Sequence, residues 1–233
     1  SPYQPRPSPP PPPALLAPNE RRRTGAVVRL ALAVAHEAAL ASGLPPASLR
    51  VVFGSANGDG PVIGGILEAL ATAGDERVVS PTQFHNSVHN AAAGYWSIAT
   101  GTRLPATCIG CHDDTWAATL LVAMTELTAS GDPVLLCCYD HPLPVPLDGT
   151  RNTGPLFGVA LALAGAGAGP ELALVHDPNG ASLPALADSG LDQLAHINPA
   201  ARALPLLTAL ARSGPSRHDL PYLEGRLCLE LRP

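Results

Sequence analysis

The chain has 233 residues, 46% of them hydrophobic and only 14% charged, with a formal net charge of -5. That length supports one substantial core. The acidic balance, with Arg21-Arg22-Arg23 as the densest basic cluster, argues against a nucleic-acid surface, and no apolar run reaches the ~18 residues needed to span a membrane. No internal repeat is visible.

In chain order, residues 1–24 read as a proline-rich arm and residues 25–233 as a single domain. The unbroken run Pro9–Pro13 predicts polyproline II, a spacer or an arm laid across a partner. Arg21–Arg23 reads as a solvated loop or as a docking spot for an acidic partner. Residues 25–42 carry a helical apolar stripe, with His36 on a helix face as a structural residue, and Gly43, Pro45 and Pro46 stop the helix. A buried strand follows at 49–53, then a glycine-rich loop at 54–60 that matches neither the phosphate-binding nor the dinucleotide-binding glycine pattern, then a helix at 62–72.

The stretch Ser80–Met124 holds three of the eight histidines, two of the five cysteines, both tryptophans and the pair Asp113-Asp114. Phe84, Val88, Ala91, Ala92, Tyr95, Ile98 and Ala99 recur at helical spacing, predicting one helix over 86–100 that ends at Gly101. Residues 106–111 suit a short buried strand and 115–127 a helix, which places His112, Asp113 and Asp114 at a strand-to-helix junction. Beyond it, 134–139 reads as a strand whose adjacent Cys137 and Cys138 point to opposite sides, as reduced thiols of a cytoplasmic protein would. A proline-rich loop spans 141–150. Strands at 157–163 and 172–175 read as a hairpin, Asn198 as the cap of a helix into Ala211 with Pro205 inside it, and 227–231 as a half-exposed final strand. His176 and His196 read as solvated loop residues.

Three chemistries compete at the junction. Cys108-Ile109-Gly110-Cys111-His112 matches the C-x-x-C-H pattern of haem attachment, but a haem also needs a second axial ligand and an apolar cage. His85 and His89, one turn apart, could join Cys111 and His112 on zinc; the Glu of H-E-x-x-H is missing, and Asn86 and Asn90 suit a hydrogen-bonding role equally. Cys111 could be a nucleophile served by a histidine base, or a small buried strand cysteine. The reading adopted has no metal and no cofactor.

The run Phe84-His85-Asn86-Ser87-Val88-His89-Asn90-Ala91-Ala92-Ala93-Gly94-Tyr95-Trp96-Ser97-Ile98-Ala99-Thr100-Gly101, followed by short strand, sharp junction, alanine-rich helix and Gly131-Asp132-Pro133-Val134-Leu135-Leu136, resembles β-ketoacyl-acyl carrier protein synthases. It looks most like the short ketosynthase-like chain length factors of aryl polyene-type pathways. The resemblance covers roughly 14–158, with a weaker tail to Arg232. It implies an α/β, thiolase-like half: a mixed, mostly parallel sheet with helices on both faces, truncated relative to full ketosynthases and expected to carry one more apolar strand ahead of this N-terminus.

Counted without gaps from Gly101, the family's cysteine nucleophile falls on Asp113, which cannot carry a thioester; a two-residue gap within 102–105 brings Cys111 into register instead. All 14 basic residues are arginines, whereas decarboxylating members of the family use a lysine and two histidines in motifs that do not occur after Leu147. The resemblance therefore implies a non-catalytic subunit paired with a catalytic ketosynthase, and through it with acyl carrier protein. Residues 106–111, with Cys108, Ile109 and Cys111, would make the inter-subunit strand pairing, and Gln83, Phe84, Ser87 and Val88 would wall the partner's acyl tunnel unless Phe84 and Val88 simply pack in their own core. His85, Asn86, His89 and Asn90 are expected to bond across the junction to Asp113 and Asp114. The alternative is an autonomous acyltransferase or thioesterase-like enzyme using Cys111.

Overall fold

The computed structural model describes residues 2–6, 8–72, 78–165, 169–180, 182–212 and 214–233. In chain order the elements are α1 (Pro18–Arg23), α2 (Ala26–Ser42), β1 (Arg50–Gly54), α3 (Gly60–Ala71), α4 (Pro81–Ser87), α5 (Ala91–Thr100), β2 (Ala106–Ile109), α6 (Thr115–Ser130), β3 (Val134–Asp140), β4 (Phe157–Leu163), β5 (Glu171–Asp177), α7 (Ser189–Ile197), α8 (Leu204–Arg212), β6 (Ser216–Tyr222) and β7 (Gly225–Arg232).

One sheet has the order β2-β1-β3-β4. Its first three strands run parallel and β4 closes it antiparallel to β3 over seven residue pairs. Parallel strands must be covered on both faces, which is why β1 and β3 are continuous apolar runs. Val51, Phe53, Leu135, Cys137 and Tyr139 point into a core with α2 and α5. Their neighbours Val52, Val134, Leu136 and Cys138 point into a second core with α6, α8 and the second sheet. Cys137 and Cys138 thus lie on opposite faces, buried and unbridged as expected, and burial pushes both thiols well up from their ordinary range.

The second sheet, β5-β7-β6, is antiparallel. Leu227, Leu229 and Leu231 of β7 face the core, while Arg226 pairs with Asp177 at 2.6 Å and Asp219 at 3.1 Å on the outer face. Cys228 shares that outer face yet is buried, so β7 is less open than its alternation implied.

Several expectations need correction. β4 and β5 form no hairpin: each is apolar enough to pair elsewhere, and β3 and β7 offer seven-residue ladders. His176 lies in β5 and His196 in α7, both exposed but neither in a loop. Arg21–Arg23 end a short helix started by Pro18, since proline suits a first helical turn. The helix expected over 86–100 is two helices. Ser80 and Gln83 form a capping box that starts α4 at Pro81, and Val88 is extended (φ -74°, ψ 140°), which ends it. α5 then buries Ala91, Ala92, Ala93, Tyr95 and Trp96, leaving Phe84, Val88 and Ile98 of the supposed stripe exposed.

At the end of β1, Gly54 lets α6 approach closely: a Cβ there would overlap the Thr119 hydroxyl and sit 3.3 Å from Thr115 Cγ2. Gly54→Ala should destabilise the chain by about 1–3 kcal/mol through overpacking, read as a lower urea midpoint with an unchanged slope.

Candidate functional site

Asp140 ends β3 and is fully buried. Its Oδ1 accepts hydrogen bonds from Ala56 N at 2.8 Å, Ser55 Oγ at 3.2 Å and Asn57 N at 3.3 Å, fastening the glycine-rich loop after β1. Burial pushes its carboxyl up to about 6 against these bonds. Asp59 closes the same loop by capping α3, with Oδ1 accepting from Val62 N at 3.1 Å; burial raises it too. Between β2 and α6 stands the junction. His112 takes a left-handed φ of 49°, a strained conformation for a non-glycine residue, and Thr115 Oγ1 closes the turn by accepting from Cys111 N at 2.9 Å and donating to the His112 carbonyl at 2.7 Å.

The acid pair of the junction is clamped by two arginines. Arg151 donates to Asp113 Oδ1 at 2.5 Å. Arg202 donates to Asp114 Oδ1 at 2.9 Å and reaches Asp113 Oδ2 at 3.7 Å. Asp114 Oδ2 also accepts from Leu223 N, at 2.9 Å, in the β6–β7 turn. Planar guanidinium groups suit such shared carboxylate contacts. The two carboxylates therefore tie three remote segments to one spot.

That geometry corrects the expected network from the preceding helix. Asn86 is buried and donates to Arg23 O at 2.8 Å while accepting from Tyr95 Oη at 3.2 Å. His89 Nε2 donates to Ser55 O at 3.0 Å, and His85 lies edge-on to Tyr95. Asn90 is exposed at the start of α5. None of the four meets Asp113 or Asp114, because the break at Val88 turns them toward the arm and the loop at 55.

Cys111 is not in the strand: β2 ends at Ile109 and Cys111 sits half-buried past it. Burial first, and the Asp114 charge second, push its thiol up from the ordinary range, which disfavours the reactive thiolate. His112 Nδ1 faces Asp113 at 3.5 Å. The three histidines of this region are thus engaged with Asp113, Ser55 and Tyr95. Among the described residues no group of three His, Cys, Asp or Glu side chains is placed to hold a metal. Three cavities lie elsewhere, the roomiest of them about 580 Å³ between α6, β4 and α8.

A distinct surface runs beside the junction. Among the described residues β2 is an edge strand, paired with β1 alone. The carbonyls of Pro105 and Ile109 accept from Val51 and Ser55, so by strand alternation the amides of Ala106 and Cys108 face outward. Helix α3 packs by its glycines. A Cβ on Gly60 would come within 2.8 Å of Leu143 and one on Gly64 within 2.6 Å of Pro144, so its glycine face packs inward. Gly60 is its one buried residue, and Leu67 and Leu70 are exposed. Val78, Phe84, Val88 and Ile98 are exposed as well, at 75%, 68%, 45% and 57%. Gln83, Ser87, Cys108 and Ile109 are half-buried. Phe84 and Val88 therefore do not pack in their own core.

The family model described as β-ketoacyl synthase, N-terminal domain, matches residues 1–214. The chain belongs to this family. Among solved structures it is similar to a ketosynthase in complex with its chain length factor from Xenorhabdus doucetiae, at 21% identity and TM-score 0.68, covering 92% of this chain and 81% of that chain. It is similar too to the ishigamide ketosynthase/chain length factor, at 16% identity and TM-score 0.64 over 94% of this chain and 83% of that one. A β-ketoacyl synthase from Burkholderia phymatum is matched at 12% identity and TM-score 0.55, over 80% and 55%. Nothing matches among curated proteins. These likenesses show the fold, a thiolase-like α/β chain with a mostly parallel sheet, shorter than those structures. Among the described residues no helix is long and apolar enough to cross a membrane.

Arg151, Arg202 and Asp140 escaped sequence reading. Asp140 left one trace, a carboxylate closing the apolar run Val134–Tyr139; the arginines left none, being 38 and 88 residues from the acids they bind. With a buried pKa of about 6 above the ~3.9 of an exposed aspartate, ionising Asp140 opposes folding. This group's contribution is full below about pH 4 and is lost as pH rises to about 6, roughly 3 kcal/mol in all. Asp140→Asn should flatten that part of the profile, seen by comparing urea midpoints of both chains at pH 4 and pH 7.

Proposed function

We propose that this chain is a non-catalytic, chain-length-determining subunit that pairs with a catalytic β-ketoacyl synthase in a cytoplasmic, aryl polyene-type or related type II pathway. The observation that carries this reading is the surface of residues 60–109, which turns large apolar side chains outward around an unpaired strand edge. Edge strands and apolar patches left open on a soluble chain invite pairing. The match to the β-ketoacyl synthase family and the likeness to structures of ketosynthase–chain length factor complexes support a ketosynthase as the partner.

In the heterodimer the outward amides of Ala106 and Cys108 pair with the equivalent strand of the ketosynthase, and Phe84 and Val88 enter its acyl tunnel. Growth stops where the chain meets that wall, since a further two-carbon unit would overpack a dense interior. At the junction, Asp113 held by Arg151 takes the place where a nucleophile would stand, and the raised thiol of Cys111 supports the same non-catalytic role. Acyl carrier protein then engages the complex on the catalytic subunit.

Co-expression with ketosynthases of the same genome should yield a one-to-one complex by native mass spectrometry, and Cys111→Ala should leave carrier-bound products unchanged. Ala106→Pro removes an outward amide without touching the β1 ladder and should weaken association about tenfold or more. Phe84→Ala should lengthen the products by one or two two-carbon units. Uptake of an acyl group on Cys111 by the isolated chain would sink the proposal in favour of an autonomous acyltransferase.

A further inference from the structure

Outside the junction, the proline-rich arm ends in a defined contact. Asp188 caps α7, its Oδ1 accepting from Gly190 N at 2.9 Å and Leu191 N at 3.0 Å. The same carboxylate receives the Tyr3 amide on both oxygens, at 2.9 and 3.0 Å, across 185 residues of sequence. Gly190 completes the seat. A Cβ there would overlap the Tyr3 carbonyl oxygen and lie 2.8 Å from Tyr3 C and 3.1 Å from Tyr3 N, so the absent side chain is the space the arm's backbone fills. The far end of the arm is tied as well: Leu16 is buried in the core with α2, and Arg21 donates to the carbonyls of Ala14 at 3.3 Å and Leu16 at 2.8 Å. The run Pro9–Pro13 between these anchors has every φ fixed by its rings, so little chain entropy is lost in ordering it.

What the arm holds leads back to the clamp. Helix α7 ends at Asn198, which is buried, donates to Pro155 O at 2.9 Å, and accepts from Ala200 N and Ala201 N at 3.0 and 3.2 Å. Ile197 at the end of α7 packs on Gly154. Both arginines lie on the segments so fixed, Arg151 three residues before Gly154 and Arg202 one residue after Ala201.

We propose that the N-terminal start of α7 is a cradle for an extended, proline-flanked peptide, that residues 2–6 of the arm occupy it as a strap, and that this strap positions α7 and hence the arginine clamp on Asp113 and Asp114. Asp188 is the acceptor of the peptide N–H, and Gly190 is the space for its carbonyl. The carboxyl of Asp188 is held below its usual range by the amides of Leu191, Tyr3 and Gly190. A carboxylate depressed in the folded state loses its contribution as pH falls through that lowered value, so the seat opens in acid.

Amide hydrogen exchange of the full chain, followed by NMR, tests the strap. In the wild type the Tyr3 amide should exchange at least ~10-fold more slowly than in an unstructured peptide. Gly190→Ala should expel the arm and abolish that protection while Leu194 to Ile197 stay protected, because alanine favours the helix. Asp188→Asn keeps one capping oxygen and removes the second acceptor for Tyr3, so it should speed Tyr3 exchange while Leu194 to Ile197 stay protected, and it stands in if Gly190→Ala fails to fold. The Leu223 amide, bonded to Asp114, should exchange ~3-fold or more faster in both variants. Unprotected Tyr3 in the wild type, or Tyr3 exchange left unchanged by Asp188→Asn, overturns the cradle; faster Tyr3 exchange with an unmoved Leu223 overturns the coupling to the clamp.

Discussion

Burial of β3 on every side is the constraint on which the structure depends. Its seven residues are all buried; β1 and β4 flank it in the sheet, α2 packs beneath one face and α6 covers the other. Such a strand leaves no room for a polar side chain except at its end, and there Asp140 appears. The carboxylate tolerates burial because three donors from the loop after β1 converge on one of its oxygens. The strand that organises both cores thus also shapes the loops at the carboxyl ends of the parallel strands, where open α/β sheets place their sites.

The junction after β2 follows the same logic with charge in place of burial. Asp113 and Asp114 sit at the start of α6, where carboxylates are favoured by the helix dipole, and draw in Arg151 and Arg202 from segments that share no sequence neighbourhood. Part-buried pairs of this kind contribute through geometry more than through Coulomb energy, since removing one partner strands the other. The clamp thereby fixes the junction between β2 and α6 to segments 38 and 88 residues away in sequence.

Helix α3 shows how pattern can mislead about which face is core. A helix this apolar reads as buried, but its glycines at 60 and 64 make the intramolecular contact with Leu143 and Pro144, Leu67 and Leu70 are turned out, and Val62, Ile63 and Ile66 are only half-buried. The same inversion holds for Phe84, Val88 and Ile98. Periodicity reports that a face is apolar; whether this chain or another covers it depends on what lies opposite.

Sequence alone determined the order and type of most elements, the opposed burial of Cys137 and Cys138, the strand-to-helix junction and the family, because these rest on local periodicity, helix-stopping Gly and Pro, and contiguous motifs. Its expectation of Asn198 as the cap of a helix into Ala211 is met only in part: Asn198 bonds the amides of Ala200 and Ala201, but it ends α7 and α8 begins at Leu204. Only the tertiary structure decided that β4 and β5 part into two sheets, that the expected long helix breaks at Val88, that Cys111 lies beyond its strand, and that Asp113 and Asp114 meet Arg151, Arg202 and Leu223 rather than His85, Asn86, His89 and Asn90. Each of these turns on a partner tens of residues away. Strand pairing, burial and ion pairing are choices among distant alternatives of similar local appeal, and the packed whole selects among them.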